Sequence, residues 1–126
     1  MNPVQKNVGD SQYNIAPAAA LEQKTLLGLI GPKIAMSSAT AQIEKINSQL
    51  VFGVLIAMDE PTFDKIAGIV LWKTVKSGSA ALVAVDDFQN KINDYYLLVA
   101  EAVMVNLADF FTYLDAQNAE TRKSSE

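Results

Sequence analysis

The sequence contains no cysteine and no histidine among its 126 residues. Without cysteine the chain has no disulfide and no thiolate nucleophile, and without histidine it lacks the most frequent general base of enzymes. These two residue types are also the main protein ligands of zinc, copper and haem. We therefore expect no metal site, no cofactor and no catalytic residues, and we expect that the protein is not an enzyme.

Long hydrophobic runs are also missing. The longest uninterrupted apolar run covers residues 50–58, nine residues, whereas a membrane-spanning helix needs about 20. The first ten residues are polar and lack the apolar core of a signal peptide. The net charge of −4 gives no electrostatic reason for binding nucleic acid or an anionic membrane. These features predict a cytoplasmic protein without a nucleic-acid or membrane partner.

The chain is instead rich in apolar residues, which make up 50% of the sequence. Its length suits one domain with a hydrophobic core. We predict a flexible leader over residues 1–10, a single helical domain over residues 11–116 and a flexible polar tail over residues 117–126. The predicted fold class is mainly α, a small bundle of about four helices.

Proline, glycine and capping residues divide the bundle into helices. Pro17 suits the start of a first helix that Gly31 and Pro32 interrupt. A second helix is predicted to begin after a cap at residues 37–40 and to run through the apolar stretch to Met58. Asp59 is predicted to cap a third helix, because the sequence Asp-Glu-Pro combines an N-cap residue with proline in the first turn.

Two further elements complete the predicted fold. Either Asp86 or Asp87 is predicted to cap a last helix that reaches about residue 116, since acidic residues favour a helix N-terminus, and Asp86 is named as the structural residue. Residues 11–15 and 81–85 have the composition of short strands, and we predict that they pair as a two-stranded β-hairpin.

The last helix carries two apolar faces. One faces the core, and the second has apolar residues at alternating spacings of three and four, as in a coiled-coil seam. This seam consists of Leu97, Ala100, Met104, Leu107 and Phe111. It either packs on another helix of the same domain or forms a surface for a partner helix. In the second case Leu97, Met104, Leu107 and Phe111 are the partner-binding residues.

Two single residues depart from the pattern of their helices. Trp72 lies opposite an apolar stripe, beside lysines, and either binds a partner or packs under the hairpin or the first helix. Asn106 lies within the core face, where an unpaired amide is unfavourable. We expect Asn106 to make a structural hydrogen bond, with the loop before Asp86 as the expected partner.

The second half of the chain has a familiar order of segments. Residues 63–71, a small polar turn, residues 85–88, residues 95–103 and residues 106–111 resemble the tail assembly chaperones of tailed bacteriophages, and so does the opening at residues 13–17. The resemblance implies a small helical protein that binds the aggregation-prone tape measure protein in the host cytoplasm. It also implies help in recruiting tail tube protein, and absence from the finished virion.

Two other functions remain open from the sequence. The chain could be a structural subunit of the phage tail or baseplate that stays in the virion, or a general helical adaptor. A homo-oligomer is a further partner arrangement that the sequence leaves open.

Overall fold

A β-hairpin begins the fold in the computed structural model, which describes residues 3–41 and 45–124. Strand β1 (Val4–Val8) pairs antiparallel with strand β2 (Ser11–Ile15). Gly9 has a φ of 58°, which suits the first position of the two-residue turn between them. A short strand β3 (Val75–Lys76) joins the other side of β2, so the strand order is β1-β2-β3.

The pairing of the predicted hairpin was wrong. The segment at residues 11–15 is a strand, but its neighbours are β1 and β3 and not residues 81–85. In that later segment only Leu82 makes an isolated bridge, to Val75. Residues 1–10, which were predicted as a flexible leader, contain the strand at Val4–Val8. A two-residue turn brings these strands together at a much lower loop-closure entropy than the 65 or more intervening residues of the predicted pairing.

The rest of the described chain is mostly helical, which confirms the predicted mainly α class. The five α-helices are α1 (Ala20–Ala41), α2 (Ser48–Ala57), α3 (Glu60–Val70), α4 (Ile92–Asn106) and α5 (Ala108–Ser124). A single 3-10 turn at Val85–Phe88 precedes α4.

Helix α1 continues through the predicted interruption at Gly31 and Pro32 and ends at Ala41. Pro32 removes only the bond to the carbonyl of Gly28, and Gly28 is exposed, so water can satisfy that carbonyl. The predicted helix start at residues 37–40 was therefore wrong. Helix α2 begins after Asn47, whose side chain accepts a hydrogen bond from the N–H of Leu50 at 3.1 Å. Residues 42–44 of the predicted second helix lie outside the described residues.

The predicted last helix consists of three elements. Asp86 lies inside the 3-10 turn and does not cap an α-helix; Asp87 instead accepts a hydrogen bond from the N–H of Ala84 at 2.9 Å. Helices α4 and α5 meet at Leu107 with a bend of 83°. The bend allows apolar residues on both sides of it to be buried, which a straight helix would not achieve. Helix α5 also extends beyond the predicted end at residue 116.

The core is built around α4, which packs against α2, α3 and the sheet. Five aromatic rings contact one another beside α4, with Phe63 stacked on Tyr96 at 4.1 Å between ring centroids. The other members of the group are Tyr13, Phe88 and Tyr95. The rings connect the hairpin, the 3-10 turn, α3 and α4 into one hydrophobic unit.

No single described helix is long and apolar enough to cross a bilayer. Helices α4 and α5 would reach that length and composition only together, across their 83° bend.

Candidate functional site

The predicted seam of the last helix lies largely inside the domain. Leu107 and Phe111 are only 3% and 5% exposed, and Ala100 is fully buried. Leu97 and Met104 are half-buried and pack against the core. Leu107 and Phe111 are thus core residues, because the bend at Leu107 turns the seam toward the domain interior. Of the two interpretations of the seam, packing on the same domain therefore applies to most of its residues.

Met104 nevertheless lines a concave surface, which we call the Met104 groove. It has a volume of about 360 Å³ and lies between β1, the segment before α2 and the α4–α5 junction. Its lining residues are Val4, Lys6, Lys45, Ile46, Met104, Val105, Ala108, Phe111, Thr112 and Asp115. Most of the lining residues are therefore apolar, and the lining also includes two lysines and one aspartate.

Two polar contacts shape the Met104 groove. The carboxylate of Asp115 accepts a hydrogen bond from the N–H of Ile46 at 2.9 Å, which holds the segment before α2 against α5. The ammonium of Lys6 lies 3.8 Å from the carboxylate of Glu101 on α4. This distance is near the limit of an ion pair, and the pair is partly exposed, so it contributes little to stability.

Trp72 lies at the end of α3 beside the start of α1. Its indole N–H donates to the carbonyl oxygens of Ala16 and Pro17 at 3.1 and 3.3 Å, and the ammonium of Lys73 lies 4.6 Å from its ring centroid. The side chain remains 43% exposed. Trp72 thus ties the chain before α1 to α3 and still presents part of its ring to solvent.

A second exposed apolar surface was not predicted from the sequence. Leu21 and Met36, at 71% and 73% exposure, are the two most exposed large hydrophobic side chains among the described residues. Both belong to an uncharged exposed stripe, the α1 face, formed by Leu21, Thr25, Gly28, Pro32 and Met36. At 100° per residue these positions fall within an arc of about 80°. This spacing was the signal in the sequence that could have identified the surface.

The α1 face has the length of a helix-packing surface. From Leu21 to Met36 it extends over 15 residues, or about 22 Å at 1.5 Å per residue. A Cβ atom at Gly28 would have no neighbour within 4 Å, so another helix can approach the backbone there. Charged residues occur on α1 only outside the arc, at Glu22, Lys24 and Lys33.

Asn106 and Asp59 have structural roles. The amide oxygen of Asn106 accepts hydrogen bonds from the N–H of Ala18 at 2.7 Å and from Gln23 at 3.2 Å, and its amide nitrogen donates to the carbonyl of Ala102 at 2.8 Å. The predicted partner, the loop before Asp86, was wrong. The pKa of Asp59 is lowered by hydrogen bonds from the hydroxyl and the N–H of Thr62, of which the hydroxyl has the larger effect.

The described residues include no cluster of three or more acidic side chains that could hold a metal ion. A cavity of about 440 Å³ between the hairpin and residues 79–94 is lined by Asp10, Asp87 and Asp94 together with Lys76 and Lys91. Since its lining combines side chains of both charges, the cavity does not favour an ion of either sign. The candidate functional surfaces are consequently the α1 face and the Met104 groove.

Comparison with known proteins gave one finding. A family model described as phage tail assembly chaperone protein, TAC, matches residues 9–119. No significant match was found among curated proteins or among solved structures. The matched range extends from the hairpin turn through most of α5 and so includes the whole α1 face.

Proposed function

Because the chain belongs to the phage tail assembly chaperone family, we propose that it binds the tape measure protein and keeps this protein soluble until the tail assembles. The proposed role is non-enzymatic binding in the host cytoplasm, and the protein is released before the virion is complete. A role in recruiting tail tube protein belongs to the same proposal.

The α1 face is the observation that supports this proposal. A client that is long, helical and amphipathic exposes an apolar stripe, and the α1 face offers an uncharged helical stripe about 22 Å long. Leu21 and Met36, at the two ends of this stripe, can each contact an apolar side chain of the client. The open space over Gly28 favours close approach of the two helix backbones.

The test is co-expression of the full chain with the tape measure protein of the same phage. The variant Leu21→Asp/Met36→Asp places two charges on the α1 face without touching the core, because both side chains are more than 70% exposed. We expect loss of co-purification and aggregation of the tape measure protein. Leu82→Asp is the matched control, since Leu82 is 56% exposed but lies outside the α1 face.

Three results would contradict the proposal. The double variant could retain co-purification with an unchanged circular dichroism spectrum, which would remove the α1 face from the binding surface. The wild-type chain could be a dimer and the double variant a monomer that still solubilises the tape measure protein, which would assign the α1 face to self-association. Mass spectrometry of purified virions could find the chain at the stoichiometry of a tail subunit, which would favour the structural alternative.

Trp72 provides a direct signal for binding at this surface. It is the only tryptophan in the sequence and lines a small cavity with Ala18, Ala19 and Glu22 of the α1 region. We expect its fluorescence to change when the client covers the start of α1, and the change should be absent in the double variant.

A further inference from the structure

Strand β1 has an unpaired edge. It is the first strand in the order β1-β2-β3, and Val8 pairs with Ser11 across the two-residue turn. In such a hairpin the pair next to the turn exchanges hydrogen bonds, and the bonding alternates along the strand. The N–H and C=O groups of Gln5 and Asn7 therefore point away from β2, and no described residue forms a hydrogen bond with them.

The Met104 groove lies next to this strand. Val4 and Lys6 alternate with the outward-bonding residues, and both line the groove. Met104, Val105 and Phe111 supply the apolar part of its lining. An exposed strand edge beside an apolar groove has the two features that strand addition requires: main-chain hydrogen bonds for affinity, and pockets for alternate side chains.

We propose that β1 and the Met104 groove bind an extended segment of another protein as a fourth, antiparallel strand of the sheet. The segment carries apolar side chains at alternate positions, which enter the groove, and an acidic side chain opposite Lys6. The proposal concerns a surface separate from the α1 face and does not depend on the identity of the helical client.

The charges of the groove favour an acidic segment over a second copy of this chain. Lys6 and Lys45 line the groove in a chain whose net charge is −4, and Asp115 is occupied by the N–H of Ile46. The ion pair of Lys6 with Glu101 is long at 3.8 Å and partly exposed, so it neutralises Lys6 only weakly. Two copies paired symmetrically through Gln5 and Asn7 would place Lys6 directly opposite Lys6, and like charges in that position oppose pairing. An acidic residue at the same position would instead face a cation.

The probe is a synthetic heptapeptide, Thr-Val-Thr-Glu-Thr-Val-Thr, with blocked ends and a fluorescent label. With glutamate opposite Lys6, the two inner threonines direct their N–H and C=O groups toward Gln5 and Asn7. N-methylation of these two threonines removes the two hydrogen bonds that their N–H groups donate and leaves the side chains unchanged. N-methylation of the two valines is the matched control, because their N–H groups point away from β1.

Binding is measured by fluorescence anisotropy with the full chain. We expect the threonine-methylated peptide to bind at least about tenfold more weakly than the unmodified one, since it loses two hydrogen bonds. The valine-methylated peptide should bind within about twofold of the unmodified one. Replacing the central glutamate by lysine should weaken binding by about fivefold or more, and high salt should reduce this difference.

Two protein variants test the other side of the contact. Asn7→Pro removes an N–H that points away from β2, and proline is tolerated at an edge strand, so the fold is preserved while peptide binding is lost. Asn7→Thr retains the N–H and is the control. If Asn7→Pro does not fold, Lys45→Glu and the methylated peptides still test the proposal, because Lys45 is an exposed groove residue and the peptides leave the protein unchanged.

Three outcomes would overturn the proposal. The unmodified peptide could fail to bind. The threonine-methylated peptide could bind as tightly as the control. The wild-type chain could be a dimer in light scattering and Asn7→Pro a monomer, which would show that a second copy occupies the edge.

Discussion

Replacing Asn106 by alanine should remove the hydrogen bonds that hold the start of α1 against the α4–α5 junction and so lower the stability of the fold. Asn106 is 5% exposed and uses both ends of its amide, accepting from Ala18 and Gln23 and donating to Ala102. The bond from the N–H of Ala18 spans 88 residues of sequence. Alanine at this position keeps the helix but leaves that buried N–H without a partner.

The magnitude follows from the hydrogen bonds that are lost. An unsatisfied buried donor costs about 1–3 kcal/mol, and each further neutral hydrogen bond contributes about 0.5–1.5 kcal/mol. We therefore expect the free energy of unfolding to fall by about 2–6 kcal/mol. For 126 residues the entropy of unfolding is about 0.26 kcal/mol/K, so the Tm should fall by roughly 8–23 °C.

Urea denaturation followed by circular dichroism measures this change. Asn93→Ala is the matched control, because Asn93 is an exposed asparagine in the first turn of the same helix and should change stability by no more than about 0.5 kcal/mol. An equally small change for Asn106→Ala would refute the argument that this amide connects α1 to the junction. A changed denaturant dependence would instead indicate that the variant is no longer compact.

Three further predictions concern the hairpin, the α3 cap and the groove. Gly9→Ala should cost at least about 1–2 kcal/mol in urea denaturation, because φ is 58° and the new Cβ would lie 2.6 Å from Asp94. Thr62→Ala should raise the pKa of Asp59 toward 3.8 in an NMR titration; since this pKa is lowered, the stabilisation by the cap is lost as pH falls through it. Met104→Asp should weaken heptapeptide binding at least about tenfold without changing tape measure co-purification.

Local signals predicted several elements well. The sequence Asp-Glu-Pro at residues 59–61 predicted the start of α3, and Asp59 is its N-cap residue. Such a cap involves only neighbouring residues, so the sequence contains all the information that it needs. The periodicity of the apolar residues likewise predicted the mainly α class, because each helix must bury a stripe of them.

The bend at Leu107 could not be predicted in the same way. Residues 105–109 contain neither glycine nor proline, and the apolar pattern continues across the break. The apolar pattern indicated that both faces of the segment need to be buried. Either a partner helix or a bend within the domain can bury the second face, so the pattern alone does not distinguish them. Only the tertiary packing around Leu107 and Phe111 decides between them.

The first strand was missed although its signal was present. Gly9 and Asp10 separate two five-residue segments, and glycine followed by aspartate is a typical hairpin turn. Residues 4–8 did not resemble a strand because one face consists of the amides at positions 5 and 7 and the other face includes a lysine, with Val8 alone fully buried. The low hydrophobicity of Val4–Val8 belongs to an edge strand with one solvent-exposed face.

The two candidate surfaces differ in the physics of the contacts they can make. The α1 face is an exposed helical ridge without charge, so binding there depends on apolar area and should change little with ionic strength. The Met104 groove is concave, has two lysines in its lining and adjoins free main-chain groups, so binding there should weaken with added salt and respond to backbone methylation. A chaperone with both surfaces can hold a helical segment and an extended segment at once, and measuring each interaction across salt concentration would assign each partner to its surface.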